Sequence, residues 1–336
     1  MEKATLLLSD GTRYVGKPFG ANVETAGIMA FDTGVIGCIE RLTDPAVSGK
    51  LMTFTFPDIG GHGVIPQDFY SDKVHAAGVV TRNWAKHPSN WQSQGNLDAL
   101  LKEQGIPGIY GIDTRALMIR LRSGGELTGA LLQGERDALS ADLPAMLASA
   151  ARPAQPQSEA PSSGEGSPYV GVVDLGCGRS LAANLAAQGA RVRIVSPADA
   201  ASGGFDAIAL SDGPEDGAFA HPLALPAGVP VYGEGLGHLL LAKARGGSLA
   251  RMGTQHGGAN LPVKWGDNVY ITSQFHAWAV SAAPDCARET IYNLNDRTVE
   301  ALLYDDAITV QFPLSVAKGP HDMSWVYGRF LSMAKG

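Results

Sequence analysis

The stretch VYGEGLGHLLLAKA, residues 231 to 244, has the pattern of a buried strand, a glycine-rich turn and the first turns of a helix. Residues 229–232 would form the strand, 233–237 the turn and 238–244 the helix. A sharp strand-to-helix turn of this kind usually presents one reactive side chain at its tip, where the helix N-terminus stabilises negative charge. Here the tip is Gly235, which has no side chain. The pattern therefore predicts a sharp strand-to-helix turn with no reactive side chain at its tip, and leaves open where a nucleophile would be.

The flanking sequence predicts two domains of different architecture. The second half alternates strands and helices, which is typical of an α/β domain with a central, mostly parallel sheet. The first half has short β-rich runs with one helical pattern, which favours an α+β domain around a mostly antiparallel sheet. In the second half the predicted strands are 170–174, 192–195, 207–210 and 229–232, with helices at 181–188 and 238–244. In the first half they are 5–8, 27–32, 51–56 and 76–80, with a helix at 97–104.

A segment rich in proline, serine and glycine divides the chain. Residues 151–168, ARPAQPQSEAPSSGEGSP, contain four prolines and no apolar side chain larger than alanine, so they cannot bury enough surface to fold. We expect an N-terminal domain at 1–150, a linker at 151–168 and a second domain at 169–336.

Composition excludes several classes of protein. Of the 336 residues 45% are hydrophobic and 18% charged, which argues against disorder, and no apolar stretch approaches the roughly 20 residues of a membrane span. A net charge of −7 does not provide the excess of positive charge that is typical of nucleic-acid-binding proteins. The three cysteines, Cys38, Cys177 and Cys286, form neither a disulfide framework nor a metal motif. We therefore expect a cytoplasmic protein with no metal site, whose partners are proteins or small molecules.

A second glycine-rich turn, VVDLGCGRS at 172–180, resembles a cofactor-binding loop but departs from it. Leu181 stands where the last glycine of G-x-G-x-x-G belongs, and the strand ending at Ser196 lacks the acidic residue that would hold a ribose. The sequence favours a structural turn here.

Longer motifs carry a family resemblance over almost the whole chain. The chain resembles the small, glutamine-hydrolysing subunit of carbamoyl phosphate synthetase, with the N-terminal domain specific to that subunit followed by a class I glutamine amidotransferase-like α/β domain. The N-terminal motifs are LTDPAVSGKLMTFTFPDIGGHGV (42–64), HPSNW (87–91) and GIPGIYGIDTRAL (105–117). The C-terminal motifs are LSDGPED (210–216), GEGLGHLLLA (233–242), HGGANLPV (256–263), ITSQFHAWAV (271–280) and GPHD (319–322).

The resemblance implies a partner and a reaction. In that family the small subunit makes ammonia, which passes through an internal tunnel to a large subunit that uses ATP and joins the ammonia to activated bicarbonate. It implies a cytoplasmic heterodimer with such a large subunit, in arginine or pyrimidine biosynthesis. No cofactor is expected in this chain, and ATP and bicarbonate are expected only on the partner.

The departures from the family fall on the chemistry. The family's cysteine in GICLGHQ corresponds to Gly235, and its histidine and glutamate in QYHPEAS correspond to Pro313 and Ser315. Acyl transfer of this kind needs a thiolate, a histidine that moves protons and a carboxylate that orients it. The resemblance therefore predicts a pseudoenzyme that does not hydrolyse glutamine, attached to a synthetase that uses ammonia or another amine.

The glutamine pocket also differs from the family. LTDPS has become LTDPA, NGPGDP has become DGPEDG, and SQNHGF has become SQFHAW, which brings bulk and negative charge into the pocket. The residues of the former pocket are Ala46, Gly213, Glu215, Leu236, Leu239, Phe275, Ala277 and Trp278.

Other readings remain open on the sequence alone. Glu234, His238 and His276 are a candidate residual polar site, against the simpler interpretation that the histidines are packed parts of the scaffold and Glu234 faces water. Cys177 and Cys286 are candidates for a replacement nucleophile, against inert packing. The alternative function is a repurposed small-molecule-binding or regulatory protein that uses the rebuilt pocket, and a hydrolase with relocated catalytic residues is the third.

Overall fold

The computed structural model describes residues 2–123, 125–135, 145–147, 166–215, 219, 223–314 and 322–335. The chain divides into two compact units, Met1–Pro153 and Ala154–Gly336. Most of the predicted linker, residues 151–165, lies outside the described residues, as do Ser315 and His321. In the part of the chain that is described, no helix is both long and apolar enough to cross a membrane.

The N-terminal unit is built around a closed barrel of seven strands in the order β1-β2-β8-β6-β4-β3-β9. Every residue of β1 is buried, and closure leaves each barrel strand paired on both sides. The strands of this unit are β1 (Ala4–Leu8), β2 (Arg13–Gly20), β3 (Thr25–Asp32), β4 (Lys50–Phe54), β5 (Asp58–Ile59), β6 (Gly78–Thr81), β7 (Asn83–Trp84), β8 (Pro107–Tyr110) and β9 (Thr128–Gln133). Antiparallel pairing, which the sequence predicted, holds for β1-β2, β1-β9, β2-β8 and β3-β9, whereas β3-β4, β4-β6 and β6-β8 are parallel.

Helices in the described part of this unit include α1 (Cys38–Leu42), α2 (Leu97–Glu103) and α3 (Thr114–Ser123). The helix predicted at 97–104 corresponds to α2, whose N-cap Asn96 accepts a hydrogen bond from the backbone N–H of Ala99. Helix α3 was not predicted, because its arginine-rich sequence buries little more than Thr114, Leu117 and Leu121 and has no long apolar stripe.

The C-terminal unit contains a nine-stranded sheet in the order β11-β10-β12-β13-β18-β17-β15-β14-β16. The five strands from β11 to β18 are parallel, which confirms the α/β core predicted from the alternation of strands and helices. The strands are β10 (Tyr169–Val173), β11 (Arg191–Val195), β12 (Ala207–Leu210), β13 (Val231–Glu234), β14 (Ser248–Trp265), β15 (Asn268–Ala282), β16 (Glu289–Asn293), β17 (Val299–Leu303) and β18 (Ala307–Val310). The helices are α4 (Gly178–Ala187), α5 (Pro197–Ala201), α6 (Leu236–Ala244) and α7 (Trp325–Met333).

The other half of this sheet is antiparallel and is dominated by the long hairpin β14-β15. Irregularities in its register lie between Arg251 and His256 and between Gly258 and Leu261. Between these irregularities His256 pairs directly with His276. The hairpin thus places polar side chains from two motifs side by side, with β17 between the hairpin and the parallel core.

Candidate functional site

The turn at Gly235 has the backbone of a nucleophile elbow. Strand β13 ends at Glu234 and helix α6 begins at Leu236, so one residue carries the whole reversal. Gly235 has φ 54° and ψ −115°, a conformation that strains any residue with a Cβ atom. The predicted strand, turn and helix are therefore present, with the helix starting two residues before His238.

The carboxylate of Asp212 fills the space in front of this elbow. A Cβ atom added to Gly235 would lie 1.9 Å from Oδ1 of Asp212, far inside contact distance. The same Oδ1 accepts hydrogen bonds from the backbone N–H groups of Gly213 at 2.8 Å and Leu236 at 2.9 Å. In acyl transfer, two converging N–H groups beside the nucleophile are the groups that stabilise the oxyanion. Here a carboxylate of the protein itself occupies that position.

Glu234, next to the elbow, is buried, so the expectation that it faces water was wrong. It is 2% exposed, and its Oε2 accepts hydrogen bonds from the hydroxyls of Tyr232 at 3.1 Å and Tyr327 at 3.2 Å. Burial, and then the nearby charge of Asp212, raise the pKa of Glu234 to about 8. Its carboxyl group is therefore mostly protonated at neutral pH and belongs to the core below the elbow.

Glu234 should make the stability of the protein fall as the pH rises. A carboxyl group with an ordinary pKa of 4.5 in the unfolded chain and about 8 in the folded chain contributes stability that is complete below pH 4.5 and lost as the pH rises through 8. Between about pH 6.5 and 8.5, the wild-type chain should lose about 2 kcal/mol from this group. Urea denaturation at both pH values measures the loss, and Glu234→Gln should remove it. An equal loss in both proteins would contradict the assignment.

The histidines are packed, in accord with the simpler interpretation. His238 is fully buried, with its Nδ1 2.8 Å from Oγ1 of Thr309. His276 is 5% exposed, and its Nδ1 lies 2.9 Å from the carbonyl oxygen of Trp278. Burial lowers the pKa of each histidine to about 3, and the neighbouring His256 contributes to the lowering at His276. Both rings are therefore neutral at neutral pH.

Known families match both units of the chain. The family described as carbamoyl-phosphate synthase small chain, CPSase domain, matches residues 6–131, and glutamine amidotransferase class-I matches residues 171–333. A carbamoyl phosphate synthase small chain from Streptococcus agalactiae serotype III (strain NEM316) is 35% identical over 355 residues, covering 98% of each chain. The chain belongs to the carbamoyl phosphate synthase small-chain family.

Another small chain agrees with this assignment. The carbamoyl phosphate synthase small chain from Methanopyrus kandleri is 34% identical over 361 residues and covers 99% of both chains. These relatives confirm the resemblance that the sequence motifs carried. Among solved structures, that of a putative GMP synthase protein from Thermoplasma acidophilum has a TM-score of 0.41 at 17% identity, over 50% of this chain and 94% of that one.

In the C-terminal unit, several residues that the sequence assigned to a former glutamine pocket make contacts within the protein. Oε2 of Glu215 accepts a hydrogen bond from the backbone N–H of Ala277 at 2.9 Å. Trp278 packs edge-on against Phe219, with ring centroids 5.1 Å apart. Leu239, expected as a wall of the pocket, is fully buried in the core below it, and Phe275 is half-buried.

The other predicted site residues belong to several different elements. Ala46, which lies in the N-terminal unit, is buried in a short 3-10 helix, Pro45–Val47. Pro313 follows β18, and Ser315 is outside the described residues.

Cys177 precedes α4 and Cys286 is exposed in the segment after β15, so neither occupies the elbow. At 172–180, Oδ1 of Asp174 accepts the N–H groups of Gly176 and Gly178, which supports the structural interpretation of that turn.

Proposed function

We propose that this chain is a non-catalytic small chain that docks on a large, ATP-dependent synthetase subunit of the carbamoyl phosphate type and stabilises it. The observation that carries the proposal is the carboxylate of Asp212 at the two N–H groups in front of Gly235. An anion that is built into this position repels the developing oxyanion of an amide substrate and excludes it sterically. The synthetase would then take ammonia from solution rather than from glutamine.

Loss of the proton-transferring groups supports the same conclusion. Pro313 stands where the family motif has its catalytic histidine, and a proline side chain cannot take up a proton. The carboxyl group beside the elbow, that of Glu234, has a pKa raised to about 8 by burial and is hydrogen-bonded to two tyrosines, so at neutral pH it is mostly protonated and not available as a base. The elbow, the base and the anion site have therefore all changed, which favours a scaffold over an impaired hydrolase.

An apolar surface on the N-terminal unit supports docking. Val35, Ile36 and Trp91 are 63%, 54% and 90% exposed, and all three line a cavity of about 700 Å³ between the segments 34–40 and 58–63. Exposed large apolar groups around a recess are typical of protein interfaces, in which tryptophan is a frequent energetic centre. Since the family is that of a small chain, we assign this surface to the large subunit.

The direct experiment expresses the tagged full-length chain in the organism that naturally contains it and purifies the chain together with any synthetase large subunit bound to it. The complex is then assayed for carbamoyl phosphate with ATP and bicarbonate, and with either glutamine or ammonium. Activity with ammonium, and none above background with glutamine, supports the proposal. Ammonia release from glutamine by the complex would refute it, and failure to capture a synthetase subunit would favour a repurposed ligand-binding protein.

Trp91→Ala should weaken the complex. Removing an exposed tryptophan at the centre of an interface should raise the dissociation constant about 10- to 100-fold. The matched control is Val269→Ala, because Val269 is 54% exposed in the other unit. Biolayer interferometry with the purified large subunit measures both variants. Equal binding by Trp91→Ala and wild type would place the interface elsewhere on the chain.

A further inference from the structure

Four polar side chains of the C-terminal unit converge between three neighbouring strands. His256 lies on β14, Gln274 and His276 on β15, and Glu300 on β17. Gln274 and His276 are two residues apart and therefore share one face of β15. All four are at least nine-tenths buried, with exposures of 7%, 0%, 5% and 0%. We call this group the histidine cluster.

The acceptors next to the outward-facing nitrogens of His256 and His276 show that these nitrogens carry the N–H hydrogens. Nδ1 of His276 is 2.9 Å from the carbonyl oxygen of Trp278, which can only accept a hydrogen bond, so that nitrogen carries a hydrogen. Nε2 of His256 is 2.7 Å from Oδ2 of Asp296 and donates to that carboxylate in the same way. An imidazole in its neutral form has one N–H, so in that form the inward nitrogen of each ring presents a lone pair, as a metal ligand must.

The amide of Gln274 is also oriented. Its Nε2 donates to Oγ1 of Thr272 at 2.9 Å and to Oε2 of Glu300 at 2.9 Å. Its Oε1 therefore faces the rings, 2.6 Å from Nδ1 of His256 and 3.0 Å from Nε2 of His276. The two inward nitrogens are 3.1 Å apart. Three lone-pair groups thus face one another at hydrogen-bond distance.

One proton does not satisfy this arrangement. A hydrogen on Nδ1 of His256 would be shared between Oε1 of Gln274 at 2.6 Å and Nε2 of His276 at 3.1 Å, and would leave those two acceptors facing each other at 3.0 Å. Oε1 of Glu300, 3.5 Å from Nδ1 of His256, adds a fourth electron-rich atom. A cation at the centre would interact favourably with all four groups at once.

We propose that the histidine cluster binds one divalent cation of the zinc class, with Nδ1 of His256, Nε2 of His276, Oε1 of Gln274 and a carboxylate oxygen of Glu300 as ligands. Tetrahedral ligands at about 2.0–2.1 Å from zinc stand roughly 3.3–3.4 Å from one another. Four of the ligand separations are 2.6, 3.0, 3.1 and 3.5 Å. They bracket that spacing, and the shortest, between His256 and Gln274, must open by about 0.7 Å. Imidazole nitrogen with carboxylate or amide oxygen is a ligand set that suits zinc and its neighbours.

The surroundings match those of a metal site. Metal-binding histidines usually donate their second N–H to a carboxylate or a backbone carbonyl, as His256 does to Asp296 and His276 to Trp278. Glu300 is held by the amide of Asn293 at 2.9 Å and the hydroxyl of Thr298 at 3.0 Å. The side chain of Asp296 is 41% exposed, which gives the cluster an approach from solvent. A metal here would fasten β14 and β15 to β17.

The sequence predicted no metal site because its ligands follow no local spacing. They come from three strands and meet only through the bulged register of the hairpin. The described histidine and carboxylate atoms of His256, His276 and Glu300 lie within 4.8 Å of one another.

The test is a zinc titration of the full-length chain after treatment with a chelator and gel filtration. Isothermal titration calorimetry should give one Zn²⁺ per chain. Zn²⁺ should also raise the melting temperature in a separate thermal denaturation. Co²⁺ should give the visible absorption of a tetrahedral site. Asp296→Asn, which alters a half-exposed group, should weaken binding about 10- to 100-fold. His276→Gln and Glu300→Gln should abolish the high-affinity site.

His87→Gln is the control, because His87 is exposed in the other unit. It should bind zinc like the wild type, and circular dichroism verifies that each variant folds. The proposal is wrong if wild type binds zinc no more tightly than His276→Gln. It is equally wrong if ¹⁵N NMR shows that both nitrogens of His256 stay protonated in the presence of stoichiometric Zn²⁺.

Discussion

Gly235→Cys should return a thiol to the elbow without producing any hydrolysis of glutamine. The new Cβ atom would lie 1.9 Å from Oδ1 and 2.2 Å from Cγ of Asp212, so the carboxylate must leave its two N–H donors or the turn must open. Either change disrupts the geometry that a thiolate needs, and Pro313 supplies no base. Ammonia release, measured by a coupled glutamate dehydrogenase assay, should equal that of the wild-type chain.

The same substitution should also destabilise the fold. A side chain at φ 54° and ψ −115°, together with the clash, should cost about 2–4 kcal/mol in the free energy of unfolding. Gly266→Ala is the matched control, because Gly266 has φ 61° and nothing within 4 Å of an added Cβ. It should cost only about 1–2 kcal/mol. Equal losses in the two variants would show that Asp212 does not block the elbow.

A double variant separates the blocking carboxylate from the missing base. In Asp212→Gly with Gly235→Cys, the space in front of the elbow and both N–H groups are open. Its thiol should react with iodoacetamide faster than the thiol of Gly235→Cys alone, and much of the lost stability should return. It should still release no ammonia from glutamine. Hydrolysis by the double variant would show that the rest of the catalytic machinery survives.

Local pattern was sufficient to predict the elbow and the parallel core. Buried apolar runs such as 207–210 and the glycine-rich turn at 233–237 are contiguous in sequence, and the structure confirms both. Family motifs extended the prediction to both units. The antiparallel hairpin β14-β15 was missed because its polar, glycine-containing strands lack the apolar runs that marked the core strands.

The chemistry of the elbow depends on contacts that no local pattern contains. Glu234 is buried because Tyr327, 93 residues later in the chain, reaches its carboxyl group. Asp212 was recognised as a departure from the family motif, but its effect comes from hydrogen bonds to Gly213 and Leu236. The histidine cluster likewise needs three strands in register. The sequence identifies these residues, but it does not predict which contacts they make in the folded chain.

Arg41→Met should destabilise the protein by about 3–5 kcal/mol, because it removes a buried guanidinium that two buried carboxylates share. Arg41 is 5% exposed, and its guanidinium donates to Asp32 at 3.0 Å and to Asp44 at 2.6 Å. Asp44 in turn accepts the backbone N–H of Ala46 at 2.9 Å. The triad therefore joins the end of β3, helix α1 and the 3-10 helix Pro45–Val47.

Two variants show whether this loss comes from the buried charges. Lys102→Met breaks an exposed pair with Asp98 and should cost about 0.5 kcal/mol or less. A triple variant, Asp32→Asn, Arg41→Met and Asp44→Asn, removes all three charges and should be more stable than Arg41→Met alone, since the two buried side chains at positions 32 and 44 are then neutral. Urea denaturation of the full-length chain measures all of them. If Arg41→Met lost no more stability than Lys102→Met, the triad would be a consequence of the fold and not one of the contacts that hold it.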